Sequence, residues 1–439
     1  MISNRKRLTP YRLISIICLT LFLLSTFTRA QENDLDASRR YEQQAVADYR
    51  SKNYAAFLSN MQKASALRPN HPRLLYNLAS AYALTGNGDE SLKVLNRLAA
   101  MGLFMPVAED DDFASLKGTN EFNAILKKLD ANKLPLNRST VAFRLSERGL
   151  ITEGLAYDPV KGDFFIGSVR RREILRVSHD GTQRVFSQPS DELWGVFGMK
   201  VDARRRLLWV CSAALPQMSG FTPEMSGRSG LFKYDLRTGR LLGKYLTPDD
   251  GRKHVLGDLT LNPRGDVFAT DSISPLIYRI NHDSDRLETF LSDSSFASLQ
   301  GLDFTPDGKK LLVADYSRGI FALDVASKKI VQLTPPDDAT LLGIDGLYFH
   351  HGRLVAVQNG ITPQRIVQLT LDRDYRRITA LRVLEANHPL SDDLTLGVIA
   401  HGDFYFNAAG QWNLFNEEGE LTAPAKLLDP VVLRIGLDF

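Results

Sequence analysis

Residues 300–325, QGLDFTPDGKKLLVADYSRGIFALDV, contain three short apolar runs that are separated by turn signals. The run LDF is followed by a turn in which Pro306 presets φ and Gly308 permits a positive φ. The run LLVA ends at the polar tripeptide DYS, and IFALDV is the third apolar run. Short β-type runs with turn chemistry about every ten residues indicate an all-β fold.

The same unit recurs six times, and each copy opens on a short apolar run. The second positions of these openings are residues 154, 198, 258, 301, 346 and 397, with gaps of 44, 60, 43, 45 and 51 residues. A period of roughly 40 to 50 residues is typical of β-propellers, which have four to eight blades. The sequence therefore predicts a mainly β fold, a six-bladed β-propeller over residues 139–439, with a loop inserted at residues 213–228 in the longest gap.

A lone apolar stretch, residues 141–145, precedes the first blade. A propeller closes its ring when a strand from one terminus completes the blade begun by the other, which removes exposed sheet edges. We expect either this stretch or residues 431–435 to provide the closing strand.

Residues 1–30 have the pattern of a secretory signal peptide. Basic residues precede an apolar run at 13–27, and the segment ends in a small residue, Ala30. About 20 apolar residues are needed to span a bilayer, so this run is short for a transmembrane helix. The pattern predicts a periplasmic or secreted, bacterial protein without an integral membrane span after cleavage. An uncleaved anchor is the alternative.

The charge of the chain argues against nucleic-acid partners. The formal net charge is +3, but the leader carries five basic residues and no acid, so its removal leaves −2. A basic pI that belongs to the leader gives no reason to expect nucleic-acid or anionic-membrane binding. Leader cleavage also removes Cys18, so Cys211 remains alone and no intramolecular disulfide can form.

Residues 31–133 are predicted to form a small all-α domain that resembles a tetratricopeptide array. Residues 76–98 carry apolar side chains at helical spacing, and Thr85-Gly86-Asn87-Gly88 divides them into two antiparallel helices. An earlier, less regular repeat fits the 34-residue period, and residues 113–129 indicate a capping helix. Such a lobe either binds a protein partner in its groove or is a structural appendage packed on the propeller.

The chain contains no HExxH, CxxC, GxxxxGK[ST], GxSxG or EF-hand motif, so the axial positions of the propeller are the remaining candidates. The opening residues of the first strands are expected to point at the central channel: Glu153, Phe197, Gly257, Gln300, Asp345 and Leu396. Asp258 follows in its strand, and four polar residues recur after second strands as further channel liners: Asp271, Asp315, Asn359 and Asn407. Carboxylate and amide oxygens suit a hard cation such as calcium, whereas Asp after a strand also often bonds backbone amides in a turn.

The openings Glu153-Gly-Leu, Gln300-Gly-Leu and Asp345-Gly-Leu resemble those of the superfamily of gluconolactonase, senescence marker protein and luciferin-regenerating enzyme. This resemblance implies a six-bladed propeller with one divalent cation, usually calcium, on its axis. It implies that Glu153, Gln300 and Asp345 are the metal ligands and that Asp345 is also the catalytic base. Gln300 stands where that family has Asn, which keeps the oxygen but adds a methylene group.

Three functions are compatible with the sequence. The first is a metal-dependent hydrolase of a lactone or related ester, with its substrate in the channel. The second is a non-catalytic propeller that binds a small molecule or a metal. The third is an envelope interaction scaffold that uses the helical segment. The hydrolase is favoured by the aligned polar residues Glu153, Gln300 and Asp345. The interaction scaffold is favoured by the helical array.

Overall fold

The computed structural model describes residues 33–422 and 427–437. The strands within this range form six four-stranded antiparallel sheets, each of which is a propeller blade. In chain order the strands are β1 (Thr140–Arg144), β2 (Thr152–Asp158), β3 (Asp163–Ser168), β4 (Glu173–Val177), β5 (Gln183–Val185), β6 (Gly195–Asp202), β7 (Leu207–Ala213), β8 (Ser229–Asp235), β9 (Leu241–Leu246), β10 (Leu256–Leu261), β11 (Val267–Asp271), β12 (Leu276–Asn281), β13 (Arg286–Ser292), β14 (Leu299–Phe304), β15 (Lys310–Asp315), β16 (Gly319–Asp324), β17 (Ile330–Gln332), β18 (Ile344–His350), β19 (Arg353–Gln358), β20 (Arg365–Leu371), β21 (Ile378–Ala386), β22 (Gly397–Ala400), β23 (Asp403–Asn407) and β24 (Val431–Gly436).

The first five blades use consecutive strands, β2–β5 through β18–β21, as the repeat predicted. The first strands of neighbouring blades contact one another in order, and β22 of the sixth blade contacts β2 of the first, which closes the ring. The sixth blade has the order β1-β24-β23-β22, with β1 antiparallel to β24. We expected one of the two terminal segments to close the ring, but the structure uses both, β24 as the third strand and β1 as the outermost.

Apolar side chains fill the space between adjacent blades. Phe268 of the third blade, for example, makes edge-on contacts with Phe290 of its own blade and with Phe304 of the fourth, at ring-centroid distances of 4.9 and 5.0 Å. All three rings are buried. Such contacts add to the hydrophobic stabilisation and hold each blade against the next. Cys211 is buried and free in β7.

The helical segment contains five α-helices within the described residues: α1 (Asp34–Arg50), α2 (Tyr54–Leu67), α3 (Pro72–Leu84), α4 (Gly88–Ala100) and α5 (Asn120–Ala131). The predicted break at residues 85–88 separates α3 from α4. Polar side chains cap the helices: Asn33, Asn53 and Thr119 accept hydrogen bonds from backbone amides of the first turns of α1, α2 and α5. Two helix pairs followed by a further helix agree with the predicted all-α segment, and its tetratricopeptide character stays a prediction. We call residues 33–133 the helical lobe.

The helical lobe packs on the propeller face at which the first strands begin. Its residues bond to loops of the fourth and fifth blades: Arg68 donates to the Ser317 carbonyl at 2.9 Å, and the amide of Phe104 donates to the Thr362 carbonyl at 2.9 Å. Asn387 completes the contact from the propeller side by donating to the Asn132 carbonyl at 3.0 Å. The lobe therefore covers part of the face that carries the opening residues.

A fully buried arginine, Arg365, joins the two parts. Its Nε donates to Gln358 Oε1 at 2.8 Å, its Nη1 donates to the Met101 carbonyl of the lobe at 2.8 Å, and its Nη2 has no hydrogen-bond partner among the described residues. Burial lowers the pKa of Arg365 to about 10, so it is charged at neutral pH. The contact thus combines two useful hydrogen bonds with an unfavourable buried charge.

We expect Arg365→Ala to lower the free energy of unfolding by about 2 kcal/mol, because two buried acceptors lose their donor and a cavity remains. Arg365→Met fills the cavity without burying a charge, so it should be less destabilising than Arg365→Ala. Urea denaturation of both variants measures the difference. An Arg365→Ala protein as stable as the wild type would contradict this account of the contact.

The predicted leader, residues 1–30, lies outside the described residues. Among the helices that are described, none combines the length and the apolar character that a bilayer crossing requires.

Candidate functional site

The opening residues of the first five blades share one backbone feature. In each blade the first strand shifts register against the second strand at the opening: at 152/155, 196/199, 256/258, 299/302 and 344/346. Each shift is a β-bulge that includes the opening residue. Bulges re-aim side chains and are common beside functional sites. The aligned column of the sequence thus corresponds to one repeated structural position.

The glycine that follows most openings allows neighbouring first strands to approach closely. A Cβ at Gly154 would lie 2.0 Å from the Phe197 carbonyl oxygen, and a Cβ at Gly301 would lie 2.4 Å from the Leu347 nitrogen. Since backbone atoms occupy these places, no larger residue fits without moving a strand. The Gly-Leu openings are therefore required by the narrow ring, whether or not the site has a function.

Four carboxylates from different parts of the ring influence one another: Glu153, Asp258, Asp345 and Asp393. Burial raises the pKa of Glu153 far above its usual value, and the negative charge of Asp345 raises it further. Burial also raises the pKa of Asp345 to about 6 and that of Asp258 to about 7. None of the four forms an ion pair with a basic side chain of the described residues. We call these four residues the axial acids.

Glu153 is held by an indole. Trp412 Nε1 donates to Glu153 Oε2 at 2.7 Å, which partly opposes the rise in the pKa of Glu153. The ring of Trp412 stacks on Phe197, the opening residue of the second blade, with centroids 6.2 Å apart and an interplanar angle of 30°. The aromatic rings of Trp412 and Phe197 therefore form an apolar surface on one side of the Glu153 side chain.

Asp345 is held by a chain of two hydrogen bonds. Asn359 Nδ2 donates to Asp345 Oδ2 at 2.9 Å, and the Tyr316 hydroxyl donates to Asn359 Oδ1 at 3.1 Å. Burial and the negative charges of Asp345, Asp393 and Glu153 raise the pKa of Tyr316, so the hydroxyl stays protonated. This chain orients the carboxylate of Asp345 from the side of the helical lobe.

Gln300 and Asp258 have different surroundings. Gln300 Oε1 accepts a hydrogen bond from the Ser272 hydroxyl at 3.2 Å, and its Nε2 donates to Ser298 Oγ at 3.3 Å. Asp258 Oδ1 accepts from the Leu259 amide at 2.8 Å, and the charge of Lys200 lowers the pKa that burial raises. Gln300 is thus engaged with neighbouring hydroxyls, while Asp258 is engaged through its own strand.

The residues that follow second strands differ in role. Asp271 accepts from three backbone amides, at residues 255, 273 and 274, and Asp315 accepts from those of residues 297, 298 and 317. These two carboxylates hold turns. Asn407 Nδ2 donates to the backbone carbonyl of Glu153 at 2.8 Å, and Asn359 contacts Asp345 directly. The two amides therefore support the axial acids, whereas the two carboxylates support loops.

Three residues of this site were not singled out from the sequence: Tyr316, Asp393 and Trp412. Asp393 Oδ1 accepts from Gln364 Nε2 at 3.2 Å and its Oδ2 from the Trp412 amide at 3.2 Å. Asp393 carries a weak signal, since it stands three residues before the last blade opening. Trp412 carries none, because it lies in the long connection from β23 to β24, outside the repeated positions.

No three His, Cys, Asp or Glu side chains among the described residues are grouped so as to hold a metal ion. An axial cation would therefore rest on fewer carboxylates, supplemented by amide oxygens and water. The chemistry of the donors still suits a hard cation, because two mutually repelling carboxylates and nearby amide oxygens are ligands that calcium accepts.

The chain is a six-bladed β-propeller. Its similarity to solved structures is one of fold. A calcium-binding protein, regucalcin, from Agrobacterium tumefaciens is 16% identical, with a TM-score of 0.48 and coverage of 67% of this chain and 94% of the other. A luciferin-regenerating enzyme is 13% identical, with a TM-score of 0.47 and coverage of 68% and 95%.

A gluconolactonase from Xanthomonas campestris is 14% identical, with a TM-score of 0.44 and coverage of 68% and 95%. No protein-family model matches the chain, and no curated protein matches it by sequence. The function must therefore be argued from the residues of the site.

Proposed function

We propose that this protein is a metal-dependent hydrolase that opens a lactone or a related ester at the axial acids. One observation carries the proposal: Glu153 and Asp345 enter from separate blades, burial raises the pKa of both, and the charge of Asp345 raises the pKa of Glu153 further, while neither forms an ion pair with a basic side chain of the described residues. Bringing two such groups together is unfavourable unless a cation or a shared proton compensates. Glu153, Gln300 and Asp345 are the proposed ligands of one divalent cation, with calcium favoured by their oxygen atoms.

Gln300 is the weakest of the proposed ligands. Its Oε1 accepts from Ser272, so coordination would compete with that hydrogen bond or share the oxygen. Asn359 and Asp258 are the nearest substitutes of suitable chemistry. The first contacts Asp345, and the second contributes to the electrostatic field at Glu153.

The surroundings suit a small neutral substrate. A bound cation would polarise the substrate carbonyl and stabilise the developing oxyanion. Asp345, with a pKa of about 6, is ionised at neutral pH and can accept a proton from water within hydrogen-bond reach. Trp412 and Phe197 offer an apolar surface beside Glu153. A cavity of about 560 Å³, large enough for a small ligand, borders Asn359, which contacts Asp345, but none of the axial acids lines it.

The inserted loop, residues 213–228, contributes to the same region. Gln217 Nε2 donates to the Asn416 carbonyl at 3.1 Å, so the insertion packs against the connection that carries Trp412. We propose that both segments shape the substrate pocket. Export to the periplasm or the medium and a protein partner for the helical lobe belong to the same proposal, and they rest on the leader pattern and on the helical array.

A non-catalytic propeller that binds a small molecule is the second candidate. Two observations favour it. No three acids of the described residues lie close enough together to hold one metal ion, and Gln300 is hydrogen-bonded to the hydroxyl groups of Ser272 and Ser298. The two candidates differ in turnover, whereas both allow binding at the axis.

Calcium binding should be visible through Trp412, one of three tryptophans in the chain. We expect calcium to change tryptophan fluorescence saturably, because Glu153 accepts the indole N–H of Trp412. Trp412→Phe should abolish the change, and Trp194→Phe, outside the site, should preserve it. Glu153→Gln should weaken calcium affinity at least tenfold by calorimetry. No saturable binding of calcium, zinc or manganese by the wild type would refute the metal site.

A further inference from the structure

A second cavity, of about 380 Å³, lies between the helical lobe and the propeller and includes none of the axial acids. The lobe contributes the start of α1, the connection between α2 and α3, and Arg97 of α4. The propeller contributes the turn between β15 and β16 and residues 332–342. We call this cavity the interdomain cleft.

Three arginines line the interdomain cleft, and none forms an ion pair with a carboxylate of the described residues. Arg68 donates to the Ser317 carbonyl, and Arg97 donates to the Asp337 carbonyl at 3.0 Å and to Asn70 Oδ1 at 2.6 Å. The acceptors of both guanidinium groups are therefore neutral. Neither guanidinium group therefore donates a hydrogen bond to a carboxylate of the described residues.

Arg318 is the least satisfied of the three. Its Nη1 is buried and has no hydrogen-bond partner within the described part of the chain. A buried guanidinium N–H without an acceptor is unfavourable, and an acceptor from a bound ligand would remove that penalty. Asp34 and Asp337 also line the cleft, but neither carboxylate pairs with these arginines.

Further positive charge surrounds Arg68. Burial and the charges of Arg39, Arg73 and Arg318 lower the pKa of Arg68 to about 10, and Glu42 opposes them only in part. Arg68 thus remains protonated at neutral pH among like charges. Crowded arginines that form no ion pair are a common arrangement for binding carboxylate or phosphate groups, because the planar guanidinium group can donate two parallel hydrogen bonds.

The cleft also has an apolar wall, and it is too large for a simple ion. Its walls include five leucines, of which Leu333 and Leu341 are almost fully buried: Leu35, Leu67, Leu333, Leu341 and Leu342. A volume of several hundred Å³ with an apolar lining and a few polar groups is typical of small-molecule sites. The occupant must therefore combine an anionic group with an apolar body.

We propose that the interdomain cleft binds a small organic anion, whose carboxylate or phosphate group contacts Arg68 and Arg318 and whose apolar part packs on the leucines. Arg68 belongs to the lobe and Arg318 to the propeller. The ligand therefore bridges the two and strengthens their contact. The site is independent of the axial acids and of any hydrolytic activity.

Calorimetry of the full chain with octanoate, octyl phosphate and inorganic phosphate tests the proposal. We expect saturable binding of octanoate or octyl phosphate, at least tenfold tighter than that of inorganic phosphate, with a rise in melting temperature. The tighter of the two alkyl ligands identifies the preferred anionic group. Failure of both to bind at millimolar concentration would overturn the proposal.

Arg318→Gln should reduce the affinity at least tenfold, and Arg318→Lys should retain part of it, because lysine keeps the charge but not the planar geometry. Arg240→Gln, at an exposed arginine elsewhere on the propeller, is the matched control. Circular dichroism verifies that each variant is folded. Unchanged affinity in folded Arg318→Gln and Arg68→Gln proteins would also overturn the proposal.

Discussion

Replacing Asp345 with Asn should lower lactone hydrolysis by about two orders of magnitude, because the variant keeps the size and one ligand oxygen but loses the base. Asn359 Nδ2 donates to Asp345 Oδ2 in the wild type, and an asparagine at 345 can still present an oxygen to it. Metal affinity should therefore fall less than the turnover number. Glu153→Gln should show the opposite order, with metal affinity affected first.

The measurement is hydrolysis of a panel of sugar and aliphatic lactones with calcium, zinc or manganese present. Asp249→Asn, at an exposed acid remote from the axis, is the matched control and should leave the rate unchanged. Turnover that survives Asp345→Asn would eliminate the proposed base. A protein that binds metal but hydrolyses no lactone would instead support the non-catalytic propeller.

The second large effect concerns stability against pH in the absence of metal. Asp258, whose pKa is raised to about 7, binds a proton more tightly in the folded state than in the unfolded state. The protonated carboxyl group of Asp258 therefore contributes fully to the free energy of unfolding below about pH 4. This contribution is lost as the pH rises toward 7. Asp258→Asn removes the group, so at pH 8 the variant should be about 4 kcal/mol more stable than the wild type.

The informative quantity is the difference between the two proteins at each pH. The pKa of His71 is lowered to about 3 by burial and by Arg68 and Arg73, and that shift raises stability as the pH rises through the same range. Urea denaturation in EDTA at pH 4.5, 6 and 8 should show the difference growing with pH. A difference independent of pH would contradict the raised pKa of Asp258, and Asp249→Asn should show none.

The blade pattern could be predicted because its causes are local. Turn residues such as Pro306 and Gly308 act within a few positions, and the Gly-Leu openings recur wherever a first strand must approach its neighbour. The helix break at residues 85–88 was equally local. The two candidate carboxylates Glu153 and Asp345 could be named because the repeat places them at one structural position in different blades.

The partners of those carboxylates could not be predicted. Trp412 reaches Glu153 across 259 positions of sequence, from the connection between β23 and β24. The third strand of the sixth blade is β24, and β1 pairs outside it. The sequence repeat describes only the features that all blades share. It therefore cannot predict the sixth blade, which is completed by two segments from opposite ends of the propeller, β1 and β24.

Turn chemistry and periodicity were sufficient to predict the six-bladed propeller, the helical segment and the alignment of Glu153, Gln300 and Asp345. Three features became visible only in the folded chain: the lobe covers the face of the openings, Asp393 joins the axial acids, and Arg68 and Arg318 meet in one cleft. Their proximity depends on how distant segments pack. Burial, rather than residue type, shifts the pKa values of the axial acids, and the same packing leaves Arg68 and Arg318 without an ion-pair partner among the described residues.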